Sequence, residues 1–323
     1  MMRGHNIACI GELLIDFVCT DIGLSLKHGA RFLKKAGGAP ANVAAAINRS
    51  GGNAKLAAKV GDDPFGDFLL HTLDSEGIEC AGVTRSTTPT TLAFVGLQDD
   101  GERDFTFCRG ADGELRWQDI PSAFLDDVGI VHFGAATGLL DGELYVTCQR
   151  LLYEAKRRGL LVSFDPNYRD GLWGRDPHEF ITRCAPWFQQ ADIVKVSEEE
   201  LHFISGMKTL TEGCRWLHDA GVSHVTVTCG RRGTWVSHRA GMHQLVPSVP
   251  VDAIDSTGAG DAFIGALLAQ VTRAGCRLDD WSSFLHAVRW ANICGALTCT
   301  RFGAIDSIPV AHDVDEYLAS QKM

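Results

Sequence analysis

The sequence predicts an α/β fold in which helices cover both faces of a parallel sheet, together with a small additional β unit. Short apolar or β-branched runs alternate with longer segments of helical spacing along most of the chain, a pattern typical of parallel sheets. Residues 13–35 and 90–108 interrupt this alternation because they lack strong helical signals. With 323 residues, 45% hydrophobic and 22% charged, the chain suits one large globular domain or a domain with an appendage.

The spacing of apolar residues places the individual elements. Predicted strands are Ile7–Ile10, Lys55–Val60, Ile130–Phe133, Leu160–Phe164, Ile193–Val196 and Val225–Thr228. Predicted helices are Ala41–Ser50, Phe65–Glu76, Glu143–Arg158, Glu198–Ser205, Ala259–Ala274 and Ser283–Thr298. A strand-like stretch, VPVDAID, precedes the helix at 259–274.

The second interruption carries a hairpin signature. In TLAFVGLQDDGERDFTF, two apolar runs are joined by Asp99, Asp100 and Gly101, residues that favour a tight turn between strands. We therefore expect residues 13–35 and 90–108 to form a small β subdomain.

Charge and cysteine usage exclude several classes of protein. A formal charge of −10 without a basic cluster argues against a nucleic-acid or anionic-membrane surface. No signal-peptide pattern and no apolar run of ~20 residues is present, so we expect a cytoplasmic protein. Eleven cysteines without a C-x-x-C pair suggest neither a disulfide framework nor a zinc ribbon.

The stretch DSTGAGDAF, residues 255–263, predicts an anion-binding helix start. Gly258, Ala259 and Gly260 lie where the first backbone N–H groups lack intrahelical partners, and the helix dipole adds positive charge there. A carboxylate beside a bound phosphate can take the proton of an attacking hydroxyl, which makes Asp261 a candidate base. Alternatively, Thr257 and Asp261 only cap a tightly packed helix. The glycine spacing is not that of a dinucleotide-binding fingerprint, and no P-loop occurs.

A second glycine-led helix start, AGGAPANVAAAINRSGG, offers groups that bind a polyol. Gly37 and Gly38 permit tight turns, Pro40 suits a first helical turn, and Asn42 carries donors and an acceptor. Upstream, Asp16 lies within the apolar run GELLIDF, where an unpaired charge is costly. Its partner is either sugar hydroxyls or a protein donor such as Asn42 or a backbone amide.

Two motifs of the chain resemble the two signatures of the ribokinase-like carbohydrate kinases, the PfkB family. They are GGAPANVA from Gly37 and DSTGAGDAF from Asp255, which occur in this order and ~220 residues apart. The resemblance spans almost the whole chain. It implies a single carbohydrate kinase domain over residues 1–323, built as a three-layer α/β/α sandwich with a mostly parallel central sheet. It also implies a small β-sheet lid over the sugar, formed by the two interrupting segments.

The resemblance assigns roles residue by residue. Asp261 is the base, and the amides of Gly258, Ala259 and Gly260 form the anion hole. Sugar-binding positions are matched by Asp16, Gly37, Gly38 and Asn42. Positions for ATP and Mg²⁺ are matched by Lys195, Ser197, Glu200, Thr228, Gly230, Gly233 and Asn292. A monovalent cation, K⁺, is implied near Asp255, Thr257, Gly303 and Ser307. Ser197 departs from the Asn often found at its position, as it does in fructokinase-like members.

The substrate prediction comes from further resemblance. GELLIDF, FDPNYRDGLW and ADIVKVSEEEL look most like fructokinases, which transfer the γ-phosphate of ATP to the 6-hydroxyl of D-fructose. Arg109 and Arg169 are expected to face the site, or else to form structural ion pairs. Because matching arginines bind a carboxylate in relatives acting on 2-keto-3-deoxygluconate, a sugar acid stays open, as do ribose, a nucleoside and a catalytically silent sugar-binding regulatory protein. A homodimer through the lid is also compatible with the family.

Overall fold

The computed structural model describes residues 5–21, 23–97, 103–173 and 177–320. Its strands are β1 (Asn6–Ile10), β2 (Leu14–Cys19), β3 (Phe32–Gly37), β4 (Asn53–Gly61), β5 (Glu79–Ser86), β6 (Leu92–Leu97), β7 (Arg103–Cys108), β8 (Val128–Gly134), β9 (Leu161–Asp165), β10 (Ile193–Ser197), β11 (His224–Thr228), β12 (Thr234–His238) and β13 (His243–Val246). Its helices are α1 (Ala39–Arg49), α2 (Pro64–Ser75), α3 (Glu143–Arg157), α4 (Asp170–Trp173), α5 (Pro177–Gln190), α6 (Glu198–Ser205), α7 (Leu210–Ala220), α8 (Ala259–Arg273), α9 (Trp281–Thr298) and α10 (Ala311–Ser320).

Nine strands form the central sheet, in the order β13-β12-β11-β10-β9-β8-β1-β4-β5. All neighbours from β5 to β11 are parallel, while β12 and β13 add an antiparallel edge. Each of the six predicted strands and six predicted helices is present within a few residues of its expected bounds. The predicted α/β fold with a mostly parallel sheet is confirmed.

The strand-like interpretation of VPVDAID was wrong. The last strand ends at Val246, and no strand is formed between it and α8. Pro250 interrupts this stretch, and proline has no N–H to donate to a ladder.

The central sheet separates two apolar cores. One core takes buried residues from α1, α2, α8, α9 and α10, and the other from α3, α5, α6 and α7. Because side chains alternate along a strand, Ile7 and Cys9 of β1 enter the first core while Ala8 and Ile10 enter the second. These are the three layers of an α/β/α sandwich.

A second sheet of four strands has the order β3-β2-β6-β7. The predicted segments, 13–35 and 90–108, supply its strands, although β3 continues to Gly37; the predicted turn at 99–101 lies outside the described residues. The central pair, β2 and β6, is parallel and the outer pairs are antiparallel. Phe17 of β2 stacks on Phe94 of β6 (centroids 5.3 Å apart) and meets Phe65 of α2 edge-on (5.7 Å), which ties this sheet to the sandwich.

Two further findings bear on the composition-based predictions. All eleven cysteines are free thiols, and most are buried. Among the helices that the structure describes, none combines the length and apolar character needed to cross a bilayer.

Candidate active site

Helix α8 begins with a glycine-lined turn. Gly258 precedes the helix with a left-handed backbone (φ 76°), and a Cβ there would approach Ala304 to 3.0 Å. The amides of Gly258 and Gly260 donate to no backbone carbonyl in the described part of the chain, whereas that of Ala259 donates to the Ser256 carbonyl (3.2 Å). Two of the three predicted anion-hole amides therefore remain uncommitted, and the Ala259 amide does not.

The carboxylate of Asp261 is directed away from its own helix. Its Oδ2 accepts a hydrogen bond from Nδ2 of Asn42 in α1 (2.9 Å), and none of the described side chains caps α8. The helices approach closely at Gly265, where a Cβ would lie 2.5 Å from the Cβ of Ala46. The structure thus joins the two sequence motifs and disfavours the interpretation of Asp261 as a helix cap.

Burial raises the pKa of Asp261 to about 6. The hydrogen bond from Asn42 and the nearby Lys195 ammonium lower the pKa, whereas the Asp165 carboxylate raises it. The group is ionised above this value and can take up a proton close to neutral pH, as a general base must.

Asp16 lies on β2 opposite Lys35 of β3, and its carboxylate lies against Gly37, where any Cβ would collide with it. No hydrogen-bond donor contacts its carboxylate among the described residues, and the Asn42 donor is given to Asp261. Burial, with added repulsion from Asp261 and Glu12, raises the pKa of Asp16 to about 7, and Arg169 opposes this rise. Neither Asn42 nor a described backbone amide is therefore the partner of Asp16, which leaves the other alternative, a hydroxyl of a bound ligand.

Glu12, which was not predicted as a site residue, organises the neighbouring turn. It is only 2% exposed; its Oε1 accepts from the amide of Ala39 (3.0 Å) and its Oε2 from the Thr137 hydroxyl (3.1 Å). Gly38 has a positive φ of 102° and no side chain to cap α1, so Glu12 supplies the acceptor instead. Its position in the apolar run GELLIDF was an available signal, of the same kind as for Asp16.

A cleft of about 490 Å³ opens in front of Asp261. Its walls are residues 167–170 after β9, Lys195 and Ser197 of β10, Glu199, Glu200 and Phe203 of α6, and the α8 start at Ser256, Gly258 and Gly260. These groups meet because the carboxyl ends of parallel strands share one edge of the sheet. Arg169, which was expected either to face the site or to form an ion pair, lies in this wall and donates to the carbonyl of Tyr168 (2.9 Å).

Lys195 forms a buried ion pair with Asp165 at the floor of this region. Their charged atoms are 2.9 Å apart, and both side chains are almost fully buried. A Cβ on Gly260 would lie 3.1 Å from the Lys195 ammonium, so this cation sits against the start of α8. Asp165 was not predicted as a site residue, although it is a carboxylate at the end of the buried strand β9.

Ser197 and Glu200 form a capping box at the start of α6. Oε2 of Glu200 accepts from the Ser197 amide (2.8 Å), and the Ser197 hydroxyl oxygen accepts from the Glu200 amide (3.1 Å). The second oxygen of Glu200 accepts from the amide of Tyr168 (2.9 Å). Glu200 therefore ties α6 to the turn that follows β9.

The remaining predicted nucleotide residues lie outside the lining of this cleft, along β11 and its neighbours. Thr228 donates to the Val196 carbonyl (3.4 Å), and Gly230 has a left-handed φ of 56°. Gly233 packs against the chain at Val246, leaving no room for a Cβ. Asn292 donates to the Val246 carbonyl (2.9 Å) and accepts from the Thr234 hydroxyl (2.6 Å). Gly233 and Asn292 therefore hold the segment after β13 in place.

Arg109 is held by a different loop. Its guanidinium donates to the carbonyls of Asp141 (2.9 Å) and Thr137 (3.4 Å) and lies 3.7 Å from the Asp112 carboxylate. It does not line the cleft. For this residue the structure supports the ion-pair alternative.

The four predicted cation residues come together between two loops. Asp255 accepts from the Thr257 amide (2.9 Å) and hydroxyl (2.6 Å) and from the Gly303 amide (3.1 Å). The Ser307 hydroxyl donates to the carbonyls of Gly303 and Ala304. Oxygen atoms thus converge here, the ligand type that hard cations prefer.

The fold is a three-layer sandwich with a second small sheet, and its site places an anion-attracting helix start next to a buried carboxylate. Together these features define a phosphotransferase that acts on an alcohol group. The chain belongs to the pfkB family of carbohydrate kinases, whose family model matches residues 5–311, so it is a sugar kinase. The resemblance inferred from the two motifs is confirmed.

Named relatives support the assignment. Fructokinase-1 of Zea mays is 39% identical over 312 residues, which are 95% of this chain and 96% of the relative. The structure of fructokinase with bound ATP from Xylella fastidiosa has a TM-score of 0.88 at 32% identity and covers 99% of this chain and 100% of that one. A double mutant of fructokinase from Vibrio cholerae O395, in its fructose, ADP and potassium ion bound form, has a TM-score of 0.86 at 34% identity and covers 98% and 99% of the two chains.

Proposed function

We propose that the protein transfers the γ-phosphate of ATP to the 6-hydroxyl of D-fructose, giving fructose 6-phosphate and ADP. The observation that carries this proposal is the hydrogen bond between Asn42 and Asp261, which sets a buried carboxylate between the predicted sugar residues and the start of α8. The resemblance to fructokinases over almost the full chain supports the choice of sugar.

In this reaction Asp261 accepts the proton of the 6-hydroxyl as the new O–P bond forms and the bond between the β- and γ-phosphates breaks. The uncommitted amides of Gly258 and Gly260 and the Lys195 ammonium face the negative charge that collects on the phosphate oxygens. Donors fixed in position before the reaction stabilise such charge more strongly than water does, because they need no reorganisation.

The sugar would be held by Asp16, Asn42 and the turn at Gly37 and Gly38. Asp16 has no hydrogen-bond donor in the described residues, and Oδ1 of Asn42 is buried without a partner. Sugar hydroxyls donate to both kinds of oxygen. The second sheet, which carries Asp16, would act as the lid, and its edge strands would be the surface for a homodimer.

Two metal ions fit the oxygen groups described. Mg²⁺, which would neutralise phosphate charge, would be held close to Glu200, whose carboxylate faces the cleft. K⁺ would be held by the oxygens around Asp255, Thr257, Gly303 and Ser307. Thr228, Gly230 and the segment fixed by Gly233 and Asn292 would border the nucleotide.

A sugar acid such as 2-keto-3-deoxygluconate is the second candidate, favoured by Arg169 in the cleft wall. Arg109, the other predicted carboxylate partner, is taken up by the 137–141 loop. Because only Arg169 of the two predicted arginines lines the cleft, the site favours neutral fructose over a sugar acid.

The test is ADP release, followed with a coupled assay, across fructose, 2-keto-3-deoxygluconate, ribose and nucleosides. We expect fructose to give the highest kcat/KM. A higher value for the sugar acid would replace fructose with the second candidate. Sugar binding without ADP release for any acceptor would identify a silent sugar-binding protein.

A further inference from the structure

Asn167, in the turn after β9, has an unusual backbone and lies in the wall of the cleft. Its φ is +47°, a left-handed value that non-glycine residues rarely adopt, and the residue is only 4% exposed. Strained residues of this kind persist when their surroundings hold them, and they concentrate at functional sites.

Neighbouring groups hold this turn in place. The backbone amide of Asn167 donates to Oδ1 of Asp165 (3.0 Å), and the Asp165 carboxylate is itself held by the Lys195 ammonium. On the other side, the Tyr168 amide donates to Glu200 (2.9 Å). The conformation of Asn167 is therefore imposed by the same residues that shape the cleft.

The side-chain amide of Asn167 has an unused donor. Its Nδ2 is buried, and no acceptor lies within hydrogen-bonding distance among the described residues. Buried polar groups are nearly always paired, so an unpaired donor at a cleft indicates a partner that arrives with a ligand.

The surrounding groups indicate what that partner is. Asn167 shares the cleft with the Lys195 ammonium, the Arg169 guanidinium and the uncommitted amides at the start of α8. The cleft is also lined by the apolar ring of Phe203 and by four carboxylates, those of Asp170, Glu199, Glu200 and Asp261. The two cations and the free amides are the groups in this wall that suit the oxygens of a phosphoryl group.

We propose that Asn167 donates a hydrogen bond to an oxygen of the phosphoryl group as it passes from the nucleotide to the sugar. The proposal rests on the kinase function proposed above and adds a contact to the transferred group. The side-chain amide takes no proton; it supplies a neutral donor in the same cleft as the base.

Asn167→Gly tests this directly, since glycine adopts a positive φ without strain and removes only the amide. Asp127→Gly is the matched control, because Asp127 also has a positive φ (58°) but is exposed and lies before β8. Affinities for ATP, ADP and fructose are measured separately by calorimetry, without turnover, and kcat by ADP release.

We expect Asn167→Gly to keep its melting temperature and its affinities for fructose and ADP, while kcat falls at least about ten-fold. The ATP affinity should fall more than the ADP affinity, because only ATP carries the γ-phosphate. Asp127→Gly should match the wild type. Unchanged kcat, or an equal loss of ATP and ADP affinity, would overturn the proposal. An inactive wild type would instead reject the kinase function, and the ATP-to-ADP comparison would still test Asn167.

Discussion

The side-chain amide of Asn42 donates a 2.9 Å hydrogen bond to Asp261, a residue 219 positions later in the chain. The contact exists because Gly265 lets α8 approach α1 closely. It holds the carboxylate close enough to Asp16 for the two charges to repel each other. Asp261 is therefore bound to a side chain of another helix and not to the free amides of its own helix, as a helix cap would be.

Replacing Asp261 by Asn separates the base from the cap. We expect kcat to fall by about 10²–10⁴, the range for loss of a general base, while fructose and ATP bind as before. The melting temperature should rise, because the pKa of Asp261, raised to about 6 by burial, shows that its charge is disfavoured in the folded state. Single-turnover kinetics, calorimetry and thermal unfolding at pH 8 measure the three quantities.

Asp67→Asn is a suitable control for this variant. Asp67 lies in the first turn of α2, as Asp261 does in α8, but its side chain is exposed and pairs with Arg85. This control should keep full activity. If Asp261→Asn retained more than about a tenth of the wild-type turnover and melted at a lower temperature, Asp261 would be a structural cap.

The pH dependence of turnover should reflect the same group. Because Asp261 must be ionised to take a proton, kcat/KM, which reports the groups of the free enzyme, should rise with pH through a midpoint near 6. Steady-state kinetics between pH 5 and 8 would show this limb. A rate independent of pH across this window would argue against Asp261 as the base.

The stability of the protein should respond to pH in the opposite direction. Burial raises the pKa of Glu12 to about 7 from an ordinary value of 4.5, so the folded state holds this proton more strongly than the unfolded chain. Stability from this source is full below the ordinary value and is lost as pH rises through about 7. In urea unfolding at several pH values, Glu12→Gln should reduce this loss, and an unchanged slope would contradict the assignment to Glu12.

How far the sequence could predict the fold depended on burial. The inner parallel strands were identified because continuous apolar runs indicate strands buried on both faces, as in β8. The two edge strands, β5, which is parallel to β4, and the antiparallel β13, were missed because they are largely exposed and lack such a run. The second sheet could be located because its segments lack helical signals. The parallel pairing of β2 with β6 could not be predicted from the sequence.

The site was predictable where motifs carried it, and less so where distant segments meet. The sequence does not reveal that β9 and β10 are neighbours, so the ion pair of Asp165 with Lys195 could not be foreseen. Arg109 was predicted to face the site, but the position of the 137–141 loop, which holds its guanidinium, is not encoded by any local pattern.

Asp16→Ala should weaken sugar binding selectively. Each charge-assisted hydrogen bond to a sugar hydroxyl contributes roughly 1.5–3 kcal/mol, so the fructose affinity should fall about ten-fold or more. Binding of ATP should change little, because Asp16 does not line the cleft at the start of α8. Calorimetry with each ligand measures both affinities, and an equal loss of the two would indicate a structural role.

Gly260 should tolerate no branched side chain if the start of α8 receives phosphate. A Cβ at this position already lies 3.1 Å from the Lys195 ammonium, and the methyl groups of valine would add bulk beside the uncommitted amides. We therefore expect Gly260→Val to lower both kcat and ATP affinity by about ten-fold or more, with fructose affinity retained because Asp16 and Asn42 are untouched. Gly260→Ala should show a smaller loss of the same kind, and thermal unfolding identifies any general loss of structure. If Gly260→Val folded and bound ATP as tightly as the wild type, the phosphate would have to lie elsewhere in the cleft.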